Sequence, residues 1–244
     1  MIMNAIETVN ITFRYGKNLV LNDLNIKIPE GSIYGFVGCN GAGKTTSIKL
    51  MLGILPLKTG SMFVFGDNIK KSNGKIMNQI GAFVDGPFLY SHFTCYEQMQ
   101  YFDMIYKMGK DRIKTVLEIV GLWNEREKKV KNLSFGMKQR LGLGVAIFHD
   151  PKIILLDEPL NGLDPFGVHD MRELFRRLNG EGKTLLISSH ILSELEKICT
   201  HIGIIDGGNL VYQDTLENMY KINDSLETTY MDLVRQNYEN SRYI

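Results

Sequence analysis

Apolar positions recur at three different spacings, each confined to its own stretch of chain. Alternation runs from Ala5 to Phe13 and again over Leu24-Asn25-Ile26-Lys27-Ile28. It predicts antiparallel strands near the N-terminus, with Tyr15-Gly16-Lys17-Asn18 as the turn between them. Unbroken apolar runs at Ser32-Ile33-Tyr34-Gly35-Phe36-Val37 and Lys152-Ile153-Ile154-Leu155-Leu156 predict strands buried on both faces. Ser61 to Gly66 and Ile80 to Val84 read as further short strands, ended by Gly66-Asp67-Asn68 and by Gly86-Pro87. From about Thr94 to Phe148 the spacing turns helical. Tyr101, Ile105, Tyr106 and Met108 form one apolar set, and Ile113, Val116, Leu117 and Val120 another, closed by Gly121. Both sets are expected to pack a core. Strands and helices then alternate: Phe166 to Leu178, Thr184 to Ser188, Ile191 to Cys199, His201 to Ile205. This order predicts one α/β domain over 1–244 with a parallel sheet, interrupted by a helical lobe at about 86–148.

One loop in this pattern carries chemistry. Gly38-Cys39-Asn40-Gly41-Ala42-Gly43-Lys44-Thr45-Thr46 fits the G-x-x-x-x-G-K-[ST] phosphate loop, between a predicted strand and a predicted helix. Small residues let backbone N–H groups close on a polyphosphate at a helix start. Lys44 is expected to reach the β- and γ-phosphates and the Thr45 hydroxyl to ligate Mg²⁺. The strand at Lys152 ends in two carboxylates. Asp157 is placed for the metal, and Glu158 for taking a proton from, or orienting, an attacking water. Ser134-Phe135-Gly136-Met137 opens a helix whose first N–H groups suit either an ordinary cap or a phosphate.

Composition narrows the class. The chain has 244 residues with 44% hydrophobic and 23% charged content, enough for a substantial core. A net charge of +1 leaves no electrostatic footprint for nucleic acid. Cys39, Cys95 and Cys199 have no metal-site spacing and suit a reducing compartment. No apolar run approaches the ~20 residues of a membrane helix. The first residues lack the pattern of a signal peptide.

Together these segments resemble the ATP-binding subunit of ABC transporters, over essentially the whole chain and in the family's motif order. Gly38 to Thr46 resembles Walker A, Asp157-Glu158 the end of Walker B, and Ser134-Phe135-Gly136-Met137-Lys138-Gln139 the LSGGQ signature. Asn161-Gly162-Leu163-Asp164-Pro165 resembles the D-loop, with Asp164 its acidic residue, and His190 the switch histidine that senses the γ-phosphate. Tyr15 resembles the aromatic residue that stacks on adenine. Two departures stand out. Phe135 replaces the first signature glycine, and Asp85 occupies the place where the family usually has Gln, or in some branches Glu. Phe135 followed by Met-Lys-Gln-Arg is similar to the bacitracin-export and lantibiotic-immunity branch.

The resemblance implies a P-loop NTPase core with an N-terminal antiparallel β-subdomain and an inserted α-helical lobe. It implies ATP and Mg²⁺ as ligands and a head-to-tail dimer with a second copy, in which each signature closes on the partner's ATP. It further implies membrane permease subunits as partners and a place on the inner face of the cell membrane. The segment Gly86-Pro87-Phe88-Leu89-Tyr90 would then line the groove that takes a permease helix. Two other readings fit less. An ABC ATPase acting on nucleic acid or ribosomes generally has tandem domains or long coiled coils. A small-molecule kinase leaves the signature, the D-loop and His190 unexplained.

Overall fold

The computed structural model describes residues 3–72, 74–86 and 88–241. Pro87, expected to stop a strand and to open the permease groove, lies outside them. The chain begins with β1 (Asn4–Val9), β2 (Ile11–Tyr15), β3 (Asn18–Leu24) and β4 (Lys27–Pro29). It then enters the core through β5 (Ile33–Val37) and α1 (Lys44–Met51). β6 (Ser61–Val64) and β7 (Asp67–Asn68) return to the N-terminal layer, and β8 (Ile80–Phe83) goes back to the core. The lobe holds α2 (Cys95–Tyr106), α3 (Lys110–Ile119) and α4 (Phe135–Ile147). Beyond it come β9 (Ile153–Asp157), α5 (Pro165–Gly180), β10 (Thr184–Ser189), α6 (Leu192–Leu195) and β11 (His201–Asp206). The last elements are β12 (Asn209–Thr215), α7 (Leu216–Tyr220) and α8 (Leu226–Ser241).

Six strands form the core sheet in the order β12-β11-β5-β10-β9-β8. All are parallel except β12, which runs antiparallel to β11 at the edge. Both faces of this sheet are covered, so its central strands are apolar without alternation, yet their side chains still take opposite sides. Ile33, Val37, Ile154, Leu156, Leu185 and Ile187 join the core packed by the lobe and α5. Tyr34, Phe36, Ile153, Leu155 and Leu186 join a second core with α1 and the N-terminal strands. The sheet is thus clamped between two apolar layers. The carboxyl ends of β5, β9 and β10 gather at one edge, where parallel sheets place their ligands.

The N-terminal alternation proves to be interrupted. Asn10, at φ 52°, separates β1 from β2. β1 lies in the antiparallel sheet β4-β1-β6-β7, whereas β2 pairs with β3 in a hairpin whose closing pair is Tyr15 and Asn18. The run Leu24 to Ile28 also divides between β3 and β4. The Thr8 hydroxyl sits at that division, donating to the Leu24 carbonyl at 3.1 Å and accepting from the Ile26 N–H at 2.7 Å. A buried side chain therefore supplies the bonds that a continuous ladder would have made.

The lobe corrects one expectation. Ile113, Val116, Leu117 and Val120 are buried. Tyr101, Ile105, Tyr106 and Met108 are exposed rather than core, Ile105 by 59%. The buried stripe of α2 is Cys95, Gln98 and Met99. Gln98 hides in it because its Oε1 accepts the Tyr90 N–H at 2.9 Å. A polar residue on the inner face leaves the apolar count larger on the outer one, so hydrophobic spacing selects the wrong side.

Candidate active site

The phosphate loop leaves β5 and turns into α1 through Gly43, at φ 112°. No side chain caps this helix, so its first N–H groups stay available to an anion. A β-carbon on Gly43 would lie 2.6 Å from a Leu21 methyl, so this turn accepts only glycine. Lys44 folds back beneath the loop, 5% exposed, and donates to the carbonyls of Gly38 at 2.6 Å and Cys39 at 3.2 Å. Its ammonium also stands 3.3 Å from the Glu158 carboxylate. Ala42 is buried, whereas Cys39, Asn40 and Gly41 are exposed. With Thr45 and Thr46 the loop lines a cleft of about 260 Å³ that Glu158 closes on one side.

The strand ends supply the other wall. Thr45 Oγ1 donates to Asp157 Oδ2 at 2.7 Å, bringing a hydroxyl and a carboxylate together across 112 residues of sequence. Such hard oxygen donors fit a magnesium ion, which takes one or two protein ligands and fills its shell with phosphate and water. Among the described residues no cluster of three His, Cys, Asp or Glu side chains exists to hold a metal unaided. Glu158 adopts φ 49°, a conformation that costs a non-glycine residue about 1–3 kcal/mol. Ser188 secures it. The Ser188 hydroxyl accepts the Glu158 N–H at 2.9 Å and donates to Asp157 Oδ1 at 2.5 Å. His190 follows on the same strand end, with Nδ1 3.0 Å from Glu158 Oε2. Lys44, Thr45 and Glu158 therefore line the cleft, and Asp157 and His190 adjoin it through their contacts with Thr45 and Glu158. Ser188 is the functional position that sequence reasoning missed, because a hydroxyl clamp between strand ends has no motif of its own.

The signature and D-loop residues form a separate cleft of about 370 Å³ that shares no lining residue with the first. Ser134 caps α4, accepting the Met137 N–H at 3.3 Å. Asp164 caps α5, accepting the Gly167 N–H at 2.7 Å, with Pro165 at the first helical position. Ser134, Phe135 and Asp164 are all exposed; Gly136 and Met137 are half-buried.

Tyr15 ends β2, half in solvent and edge-on to Phe13 at 4.9 Å. It is not among the residues that line the phosphate cleft. Asp85, at φ 58°, is paired with Lys49 of α1 at 2.7 Å. That hydrogen bond raises the Lys49 pKa. α8, which the spacing pattern did not assign, brings Tyr230 beside Cys39 and His190, and burial raises its phenol pKa. Beyond Asp85, Phe88 is 81% exposed and helps line an apolar groove with Ile54, Phe102 and Val145. Tyr90 instead packs against Phe93 and Tyr101, with ring centres 5.0 and 5.1 Å away.

The chain is similar to known proteins in sequence and in fold. The family model described as ABC transporter matches residues 21–161. The bacitracin transport ATP-binding protein BcrA of Enterococcus faecalis is 41% identical over 226 residues, covering 91% of this chain and 73% of the relative. The lantibiotic transport ATP-binding protein SrtF of Streptococcus pyogenes is 37% identical over 218 residues, covering 89% and 92%. A solved ATP-binding subunit of an ABC transporter superposes with a TM-score of 0.83 at 25% identity, over 94% of this chain and 99% of that one. Among the described residues no helix is long and apolar enough to cross a membrane. With the family model matching more than half of the chain, and relatives of this identity spanning most of it, the chain belongs to the ABC transporter family.

Proposed function

We propose that the chain is the ATP-hydrolysing subunit of a membrane exporter for peptide antibiotics. One observation carries the reading: a buried lysine, Thr45 and Glu158 line one cleft beside the phosphate loop, and direct contacts tie Asp157 and His190 to Thr45 and Glu158. The identity to bacitracin and lantibiotic transport ATP-binding proteins supports the cargo class.

In this reading each residue of the site has a role. Loop N–H groups and Lys44 hold the phosphates, and Tyr15 stacks on the base. Thr45 and Asp157 would hold Mg²⁺, which would offset charge on the phosphate oxygens. Glu158 takes the proton of the attacking water, and His190 orients that carboxylate from 3.0 Å. Asp85 links α1 to the segment that leads into the apolar groove, through Lys49. The subunit sits at the cytoplasmic face of the membrane, held by its permease partners.

Ser134 and Asp164 lie outside the phosphate cleft, and in this reading they act on the nucleotide of a second copy arranged head to tail. Mixing a Ser134→Arg subunit with a Lys44→Ala subunit tests this. Each variant alone is expected to be inactive. The mixed dimer keeps one site free of both lesions, so up to half of the normal ATPase rate returns. Absence of recovery, with heterodimers demonstrated by a tag pull-down, rules out the shared site.

The groove beside Phe88 receives a short cytoplasmic helix of the permease, a common mode of helix recognition. Phe88→Ser together with Leu89→Ser is expected to leave ATP affinity within about twofold, since neither residue lines the phosphate cleft. Removing an anchoring aromatic costs about 2 kcal/mol or more in interfaces. Co-purification with the permease and transport should therefore both fall steeply. Full retention of both by folded protein places the coupling surface elsewhere.

A further inference from the structure

Phe135 stands where the signature pattern has its first glycine, and its ring has a specific seat. The ring lies against the backbone of Gly162, in the turn that carries Asp164. A β-carbon built on Gly162 would meet Phe135 Cε1 at 3.0 Å and Cζ at 3.3 Å. Gly162 is also held at φ 74°, so the turn presents bare backbone to the ring from a conformation that side chains disfavour. Next to this contact, a β-carbon on Gly136 would lie 3.5 Å from a Leu163 methyl. The start of α4 therefore lies against the turn before α5 at Phe135 and Gly162, with the Leu163 side chain on the open side of Gly136. Among the described residues the backbone bonds inside the turn are long, the Asn161 N–H to the Glu158 carbonyl at 3.2 Å and the Leu163 N–H to the Leu160 carbonyl at 3.3 Å. Its far end is fixed to α5 through Asp164, which accepts from the Gly167 and Val168 N–H groups at 2.7 and 2.9 Å.

We propose that Phe135 is a positioning residue: its ring, seated on Gly162, holds the Asn161–Asp164 turn in register with Ser134. It thereby presents Ser134 and Asp164 to the neighbouring subunit as one rigid surface. The proposal rests on the composite-site reading above. The ring is 52% exposed, so burial in the monomer does not account for a phenyl group here. A contact that orders a glycine-bearing turn does, because fixing such a turn beforehand removes its entropy cost from the catalytic step.

Two measurements on the full chain test this. Phe135→Ala removes the ring but keeps a strong helix former at the start of α4, so helix weakening is not the cause of any loss. Phe135→Tyr keeps the ring. Phe135→Ala is expected to speed amide hydrogen exchange at Asn161 and Leu163 by about tenfold or more, as for a turn released from a packing contact. It is expected to lower kcat by about tenfold to a hundredfold, with KM for ATP within about twofold. Phe135→Tyr should restore both. Unchanged exchange in Phe135→Ala overturns the seat on Gly162. Faster exchange with normal kcat overturns the positioning role, and a rise in KM alone would assign the ring to nucleotide contact instead. If Phe135→Ala does not fold, Phe135→Leu, which lacks the flat ring, is read by the same criteria. A wild-type chain without ATPase activity would defeat the functional reading, while the exchange measurement still decides the packing.

Discussion

Glu158→Gln is expected to lower ATP turnover by a factor of about 10² to 10⁴, the range for loss of a general base, with little loss of ATP affinity. The carboxylate lies between two groups, 3.3 Å from the Lys44 ammonium and 3.0 Å from His190 Nδ1. Glutamine has the same size and can keep contact with both neighbours. It cannot take a proton from water. Its lost charge also frees Lys44 from an anionic competitor, which favours phosphate binding. The variant should therefore accumulate an ATP-bound dimer. Single-turnover phosphate release and nucleotide titration separate the two effects, and a variant turning over near the wild-type rate removes Glu158 from the chemistry.

Lys44→Ala should fail in the opposite way. Lys44 is 5% exposed, and its ammonium is the only cation among the residues lining the phosphate cleft. Truncating one partner of a buried charge pair costs about 2–5 kcal/mol, or roughly thirtyfold to several thousandfold in affinity. Alanine favours the helix, so α1 should persist, and thermal unfolding checks that. Calorimetric titration of the purified chain with ATP is the measurement. Affinity within about threefold of wild type would show that the loop backbone alone carries phosphate binding.

Legibility in the sequence followed the range of the interactions concerned. The central strands were visible because both faces are buried, as β5 and β9 show at every position. Lys44, Asp157 and Glu158 sit in local motifs whose spacing is set by a strand, a turn and a helix, so their neighbourhood could be anticipated. The pairing of Thr45 with Asp157 spans 112 residues and needs the β5-β10-β9 order, which spacing alone does not reveal. Ser188 reads in the sequence only as the end of a strand, yet its one hydroxyl bonds both the Asp157 carboxylate and the Glu158 backbone N–H. α2 was misjudged because Gln98 is buried by a single bond to the Tyr90 backbone, a contact with no periodic trace. The C-terminal α8 has an ordinary amphipathic sequence, and its nearness to Cys39 depends on how β11 and β12 fold it back.

The separation of the two clefts has a consequence for reaction order. If a complete site takes its phosphate loop from one chain and Ser134 from another, free subunits at low concentration meet in pairs. Their hydrolysis then grows with the square of concentration and fades on dilution. Binding two copies to one permease makes the encounter intramolecular, at an effective concentration of about millimolar for short tethers. The disjoint clefts would thus keep dispersed chains from spending ATP and concentrate hydrolysis where a transport path exists.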